Sequence, residues 1–307
     1  MIRVLVFGQS GQLARCLAQE ATCFANIELN FVGRCRCDLE YPWNIAEIID
    51  KMRPDIVINA AAYTAVDLAE SEPDRAVAVN STAVKVMSEL TAKHAIPFIH
   101  FSTDYVFDGS AVKPYVETDR VAPLGIYGQT KLAGEQAVRD LNPRHVIFRT
   151  SWLYSPFGKN FVKTMCRLLA ETDEVKVVDD QIGCPTSAYD LAHGVLQVLP
   201  AFVTERSPAF GTYHVVSDQP LSWCAFTRRI QALGADVFGP EWPGGDRRIT
   251  PISTDQFPSK VKRPAYSVLS NRKVREALGV NFPSMTESLG RVLTDLNKVT
   301  ATRKRIF

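Results

Sequence analysis

The chain has no surplus of charge of either sign: 35 Lys and Arg face 33 Asp and Glu, leaving a formal +2 over 307 residues. That balance excludes a broad nucleic-acid or membrane-surface footprint, which needs clustered cations, and leaves room only for local anion sites. The opening apolar run, Met1–Phe7, turns polar at once. It is too short for a signal-peptide core and far short of a membrane span, so a cytoplasmic protein without membrane partners is expected. Cysteine supplies no framework. The seven thiols (16, 23, 35, 37, 166, 184 and 224) are odd in number and scattered, and Cys35-Arg36-Cys37 has no second Cys or His pair at ligand spacing. Disulfides and a metal centre are therefore not expected. Gly (17) and Pro (18) are too few for a disordered or low-complexity chain, and no internal repeat is present. The basic run Arg303-Lys304-Arg305 reads as a solvated tail.

What is present is alternation. A short β-branched run, Arg3–Phe7, meets Gly8, and Gly11–Leu17 opens a helix. Further strands are expected at 27–32, 56–59, 98–102 and 145–149, with helical patterns near 45–52, 76–94 and 127–140. Right-handed crossovers of this kind place helices on both faces of a parallel sheet. The fold class is therefore α/β, a Rossmann-type doubly wound sheet. The expected division is a nucleotide-binding core over 1–150, to which later segments return, and a mainly substrate-binding region over 151–307. Segments 238–246 and 257–264 of that region are rich in Pro and Gly.

Gly8-Gln9-Ser10-Gly11-Gln12-Leu13-Ala14 sits between that first strand and helix, where a backbone must turn sharply and let a pyrophosphate approach the helix N-terminus. Gly8, Ser10, Gly11, Gln12 and Leu13 are the candidate dinucleotide contacts. After the second strand, where an acid would hold the ribose hydroxyls of NAD, the sequence has Arg34. A guanidinium there suits a 2′-phosphate, which favours NADPH over NADH as the cofactor. Asp38 and Leu39 are expected beside the adenine. The small residues Ala60, Ala61 and Ala62 let a cofactor lie close to the third strand.

Tyr127-Gly128-Gln129-Thr130-Lys131 places a phenol and an ammonium four residues apart, on one face of a helix. A fixed cation stabilises phenolate, so Tyr127 is expected to give and regain a proton near neutrality. Ser102-Thr103 lies about 25 residues earlier at a strand end, and Thr103 is the preferred donor to a substrate carbonyl.

These residues resemble the extended short-chain dehydrogenase/reductases, and within them the dTDP-4-dehydrorhamnose reductase family. The resemblance runs through most of the chain: 8–13, Arg53-Pro54-Asp55, 59–67, Glu70-Ser71-Glu72-Pro73, 102–109, 127–135, 149–152 and 180–186. It implies NADPH-dependent reduction of a nucleotide-linked 4-keto sugar, with Thr103, Tyr127 and Lys131 as the catalytic set and Lys131 also on the nicotinamide ribose. Asp104, Tyr105 and Trp152 would line the sugar pocket, and Asn160, Gln181 and Arg263 would lie near the diphosphate. Some members bind magnesium at a dimer interface through two glutamates. The matching positions here are Cys16 and Tyr189, so no such metal is expected, and the chain should be a monomer or a weak homodimer. Two other readings remain at this stage. One is a related 4-ketoreductase or an epimerase/dehydratase, and the other is a non-catalytic NADP-binding regulatory subunit.

Overall fold

A computed structural model describes residues 1–204, 210–258 and 261–304, with side chains to residue 298. The tail of Arg303, Lys304 and Arg305 lies outside the residues whose side chains are described.

The central sheet has five strands from the first half of the chain: β1 (Ile2–Phe7), β2 (Ile27–Val32), β3 (Ile56–Asn59), β4 (Phe98–Thr103) and β5 (His145–Thr150). Around them run α1 (Gln12–Glu20), α2 (Ile45–Met52), α3 (Val66–Ala69), α4 (Pro73–Val77), α5 (Ala83–Lys93) and α6 (Ile126–Leu141). The second half adds β6 (Leu153–Tyr154), α7 (Phe161–Glu171), β7 (Glu174–Val178), β8 (Ile182–Gly183), β9 (Thr186–Ser187) and α8 (Ala188–Phe202). It ends with β10 (Gly211–His214), β11 (Leu221–Ser222), α9 (Trp223–Phe238), β12 (Arg248–Ile252), α10 (Arg272–Leu278) and α11 (Met285–Lys304).

The sheet order is β10-β5-β4-β3-β1-β2, and the paired strands are parallel. The order reverses between β1 and β3, which opens a crevice at their carboxyl ends. Strand residues alternate between two cores, as a two-residue period requires. Val4, Val6, Ile58, Ile99 and Phe148 pack with α1 and α8 on one face. Leu5, Phe7, Val57, Phe98 and Ile147 pack with α2 and α5 on the other. Each such side chain contributes about 1.5–3 kcal/mol of burial free energy, which is why the strands read as near-continuous apolar runs.

Boundaries shift at several expected elements, two of them with a visible cause. The helix expected over 76–94 starts earlier, at Pro73, whose fixed φ suits a first helical position, and a π-helical stretch at Ala78–Thr82 interrupts it. There Asn80 turns its carboxamide out of the helix, accepting from Tyr63 N (2.9 Å) and donating to Tyr63 O (3.0 Å) and Thr130 Oγ1 (3.2 Å). The fourth strand runs on to Thr103 rather than stopping at 102, because Thr103 still pairs in register with Thr150 of β5.

Candidate active site

The glycine turn closes the carboxyl end of β1. Gly8 has φ of +107°, and a Cβ there would lie 3.1 Å from both Ala60 C and Ala61 N. Only glycine takes that backbone and lets the chain after β3 come so close. Gly8 N donates to Val32 O (2.9 Å), and Ala60 N donates to Phe7 O (2.9 Å), so the ends of β1, β2 and β3 are tied together. Gly11 at the N-cap of α1 brings no side chain to the first turn, whose N–H groups have no side-chain cap. Ser10 and Gly11 are exposed, whereas Leu13 is buried in the core and supports the turn from below.

Arg34 is already engaged. Its Nε donates to Asp38 Oδ2 (3.0 Å), and its terminal nitrogen pairs with Glu40. Glu40 also takes two bonds from Arg75, at 2.9 and 3.1 Å. Asp38, expected beside the adenine, is also the counter-ion of Arg34. The Leu39 side chain is buried in the core that holds Leu5, Phe7 and Val32.

The catalytic candidates meet at the end of β4. The Thr103 hydroxyl donates to Asp104 Oδ1 (3.1 Å), accepts from Tyr105 N (3.2 Å) and acts electrostatically on the Tyr127 phenol. Helix α6 reaches this position through Gly128, where a Cβ would stand 2.3 Å from Tyr105 O. Glu70 Oε1 accepts from Ile126 N (2.8 Å) and so fixes where α6 begins. Of the two hydroxyls weighed, Thr103 is the one beside Tyr127.

The electrostatics differ from the simple expectation. Burial pushes the Tyr127 phenol up to about 12, against the Thr103 hydroxyl and reinforced by the charge of Asp104. Burial likewise pulls Lys131 down to about 8, opposed by Glu135. Lys131 Nζ donates to Phe101 O (2.6 Å) and lies 3.3 Å from His100 Nε2. Desolvation therefore wins at both groups. Glu135 is itself held by a bidentate pair with Arg149 (2.8 and 2.7 Å) and by Arg139 (2.9 Å).

Of the proposed sugar-side residues, Asp104 and Tyr105 lie at this point. Asp104 is buried, and burial raises its carboxyl to about 6 against the pull of the Ser267 and Thr103 hydroxyls. Tyr105 packs edge-on against Tyr127, with ring centroids 5.7 Å apart. Trp152, two residues past the end of β5, has a left-handed backbone (φ +48°) and stacks on Trp223 at 3.3 Å between centroids and 3° between planes. Gln181 accepts from Trp223 Nε1 (3.2 Å) and donates to Thr254 (3.0 Å). Arg263 bonds Asp67 Oδ2 (3.0 Å) and acts electrostatically on Tyr105, so a late loop covers the site. Asn160 is committed elsewhere: it caps α7 and donates to Gln12 Oε1 (2.9 Å), Ser155 O and Phe157 O. That joins it to the glycine-turn side rather than to Gln181 and Arg263.

Sequence reasoning missed His100, Glu70 and Trp223. His100 carried a signal, since a two-residue period in 98–102 places His100 and Ser102 together on one otherwise apolar face. Trp223 carried none. At the positions weighed for metal, Cys16 is fully buried, and the Tyr189 hydroxyl donates to Gln19 (2.6 Å) and Asp295 (3.0 Å). Among the described residues no cluster of three or more potential metal ligands occurs, and no helix is long and apolar enough to cross a membrane.

A family profile described as the RmlD substrate binding domain matches residues 2–298. The chain belongs to this family, that of the dTDP-4-dehydrorhamnose reductases. A dTDP-4-dehydrorhamnose reductase of Sinorhizobium fredii is 40% identical over 95% of this chain and 97% of its own length. That of Escherichia coli K12 is 36% identical over 98% and 100%. Among solved structures, a dTDP-4-dehydrorhamnose reductase from Clostridium acetobutylicum shares 37% identity at a TM-score of 0.87, covering 96% of this chain and 99% of its own. The Bacillus anthracis reductase, in complex with NADP, shares 33% at 0.85 with the same coverage. A UDP-glucose 4-epimerase from Thermotoga maritima, at 18% identity and a TM-score of 0.79, shares the fold.

Proposed function

We propose that the protein reduces the C4 ketone of dTDP-4-dehydro-L-rhamnose to give dTDP-L-rhamnose, with NADPH as preferred donor and NADH as a possible one. The carrying observation is that Tyr105, bonded through its N–H to the Thr103 hydroxyl, packs edge-on against Tyr127 at the carboxyl end of β4, with Lys131 one turn along the same helix. A carbonyl oxygen placed between the two hydroxyls would accept from both. Thr103 would hold the developing oxyanion and Tyr127 would deliver the proton.

The residues at the β1–β3 crevice fit a dinucleotide: the Gly8 turn admits it, and the first turn of α1 offers N–H groups to a pyrophosphate. Ser10, Gly11 and Gln12 would hold the phosphates, Arg34 a 2′-phosphate, and Ala60–Ala62 and Lys131 the nicotinamide half. When bound, the cofactor supplies the hydride. Asp104, Tyr105 and Trp152 would orient the sugar ring, and Gln181 and Arg263 the nucleotide diphosphate.

The test is NADPH oxidation by the purified protein with dTDP-4-dehydro-L-rhamnose, set against NADH and against UDP- and GDP-linked keto sugars. Turnover restricted to the dTDP sugar supports the proposal. Preference for another nucleotide sugar replaces the substrate, and no turnover with any favours a non-catalytic NADP-binding subunit.

A further inference from the structure

Lys131 has a partner that the proposed chemistry does not use. Beneath α6, the sheet carries Asn59 on β3 and His100 on β4, directly opposed in the strand register. Both are buried, at 1% and 0% exposure. Asn59 Nδ2 lies 3.3 Å from His100 Nδ1, and His100 Nε2 lies 3.3 Å from Lys131 Nζ.

The hydrogens in this chain follow from one outside contact. Ala61 N donates to Asn59 Oδ1 (3.1 Å), so the oxygen side of the amide is taken and its NH2 faces the ring. An NH2 offers only donors, so His100 Nδ1 must accept, and in a neutral imidazole the proton then sits on Nε2. The Nε2–H therefore points at Lys131 Nζ. An ammonium has no lone pair to accept it, whereas an amine does. Phe101 O takes a proton from Nζ in either state.

We propose that Asn59 and His100 set the protonation state of Lys131, favouring its amine form and making its ammonium a readier proton donor. His100 acts as a positioning residue, working through the lysine. The balance is simple: an N–H bond of Lys131 breaks as an O–H bond reforms on the Tyr127 phenolate left by the reduction. The inference rests on the proposed role of Tyr127 as proton donor.

The other charges around Lys131 do not supply this effect. Glu135, one turn along α6, raises its affinity for a proton, but Arg149 of β5 and Arg139 of α6 already neutralise that carboxylate. Asp104, Tyr105 and Tyr127 lie at the open end, and Asp67, Asp74 and Arg75 sit on the short helices that flank α6. His100 stays neutral, since burial and Lys131 both hold its pKa well below the ordinary value.

The experiment is a pH titration of the unliganded protein labelled with 13C at lysine Cε, with the Lys131 resonance assigned by Lys131→Arg. It is run on wild type, Asn59→Leu and His100→Gln, two substitutions that add no charge. Asn59→Leu frees the ring to carry its proton on Nδ1, and His100→Gln can turn a carbonyl to the ammonium. In both, the Lys131 pKa should rise by about one unit, a tenfold change in proton affinity. The alkaline limb of the kcat profile should move up with it. If folded variants titrate like wild type, or lose activity equally at every pH, the inference is overturned. Should one variant fail to fold, the other decides. Wild type inactive on every ketosugar would remove the reductase reading instead, while the titration would still report on the lysine.

Discussion

At the scale of single residues, two side chains carry distinct expectations. Tyr127→Phe removes the hydroxyl proposed as proton donor while leaving the ring against Tyr105. Its kcat should fall by about 10²–10⁴-fold with NADPH binding little changed, as steady-state kinetics and cofactor fluorescence titration would record. Asp104 is a buried acid whose folded-state pKa, about 6, stands above its ordinary 3.8. A raised pKa favours the protonated native form, so its stabilising contribution is complete below pH 3.8 and is lost as pH rises through 6. Relative to wild type, Asp104→Asn should gain about 3 kcal/mol between pH 4 and 7, read from urea unfolding at each pH. Tyr127, Lys131 and Thr103 were legible because their spacing is itself the chemistry. Their pKa directions were not, since these depend on how much protein surrounds each group.

At the scale of elements, α6 is the part that must be placed accurately, and two residues place it. Gly128→Ala would drive a methyl group to 2.3 Å from Tyr105 O, so the helix must retreat from the end of β4. The expected cost is about 1–3 kcal/mol of stability. The loss of kcat should be disproportionate to the fall in Tm, because Tyr127 moves away from Thr103. Glu135→Ala leaves Arg149 buried without its bidentate partner and should destabilise by about 3–5 kcal/mol in chemical denaturation. The extent of α6 was readable from its periodicity to within a residue at each end. The π stretch before α5 was not, because the Asn80 carboxamide in it is held by Tyr63 and Thr130, partners distant in sequence.

At the scale of the whole molecule, the proposed site draws on returning chain. Trp223, Gln181 and Arg263 come from beyond residue 151, yet β10 closes the edge of the first half's sheet and α8 packs on α1. A ligand held in the β1–β3 crevice should therefore stabilise the entire fold. NADPH at a hundred times its Kd should add about 2.7 kcal/mol, seen as a rise in Tm of several degrees. In Arg34→Ala that rise should shrink more for NADPH than for NADH, if the guanidinium exchanges Asp38 and Glu40 for a 2′-phosphate. Equal losses with both cofactors would place Arg34 in a structural role only.

The sequence by itself determined the alternation of strands and helices over the first 150 residues, the glycine turn and the Tyr127–Lys131 pair, because each is written in a short-range period or spacing that local geometry must obey. Tertiary structure alone decided that Arg34 meets Asp38 and Glu40, that Trp152 stacks on Trp223, and that Lys131 turns toward His100. Those outcomes are competitions among partners many residues apart, settled by burial and by which donor or acceptor the fold brings within about 3 Å.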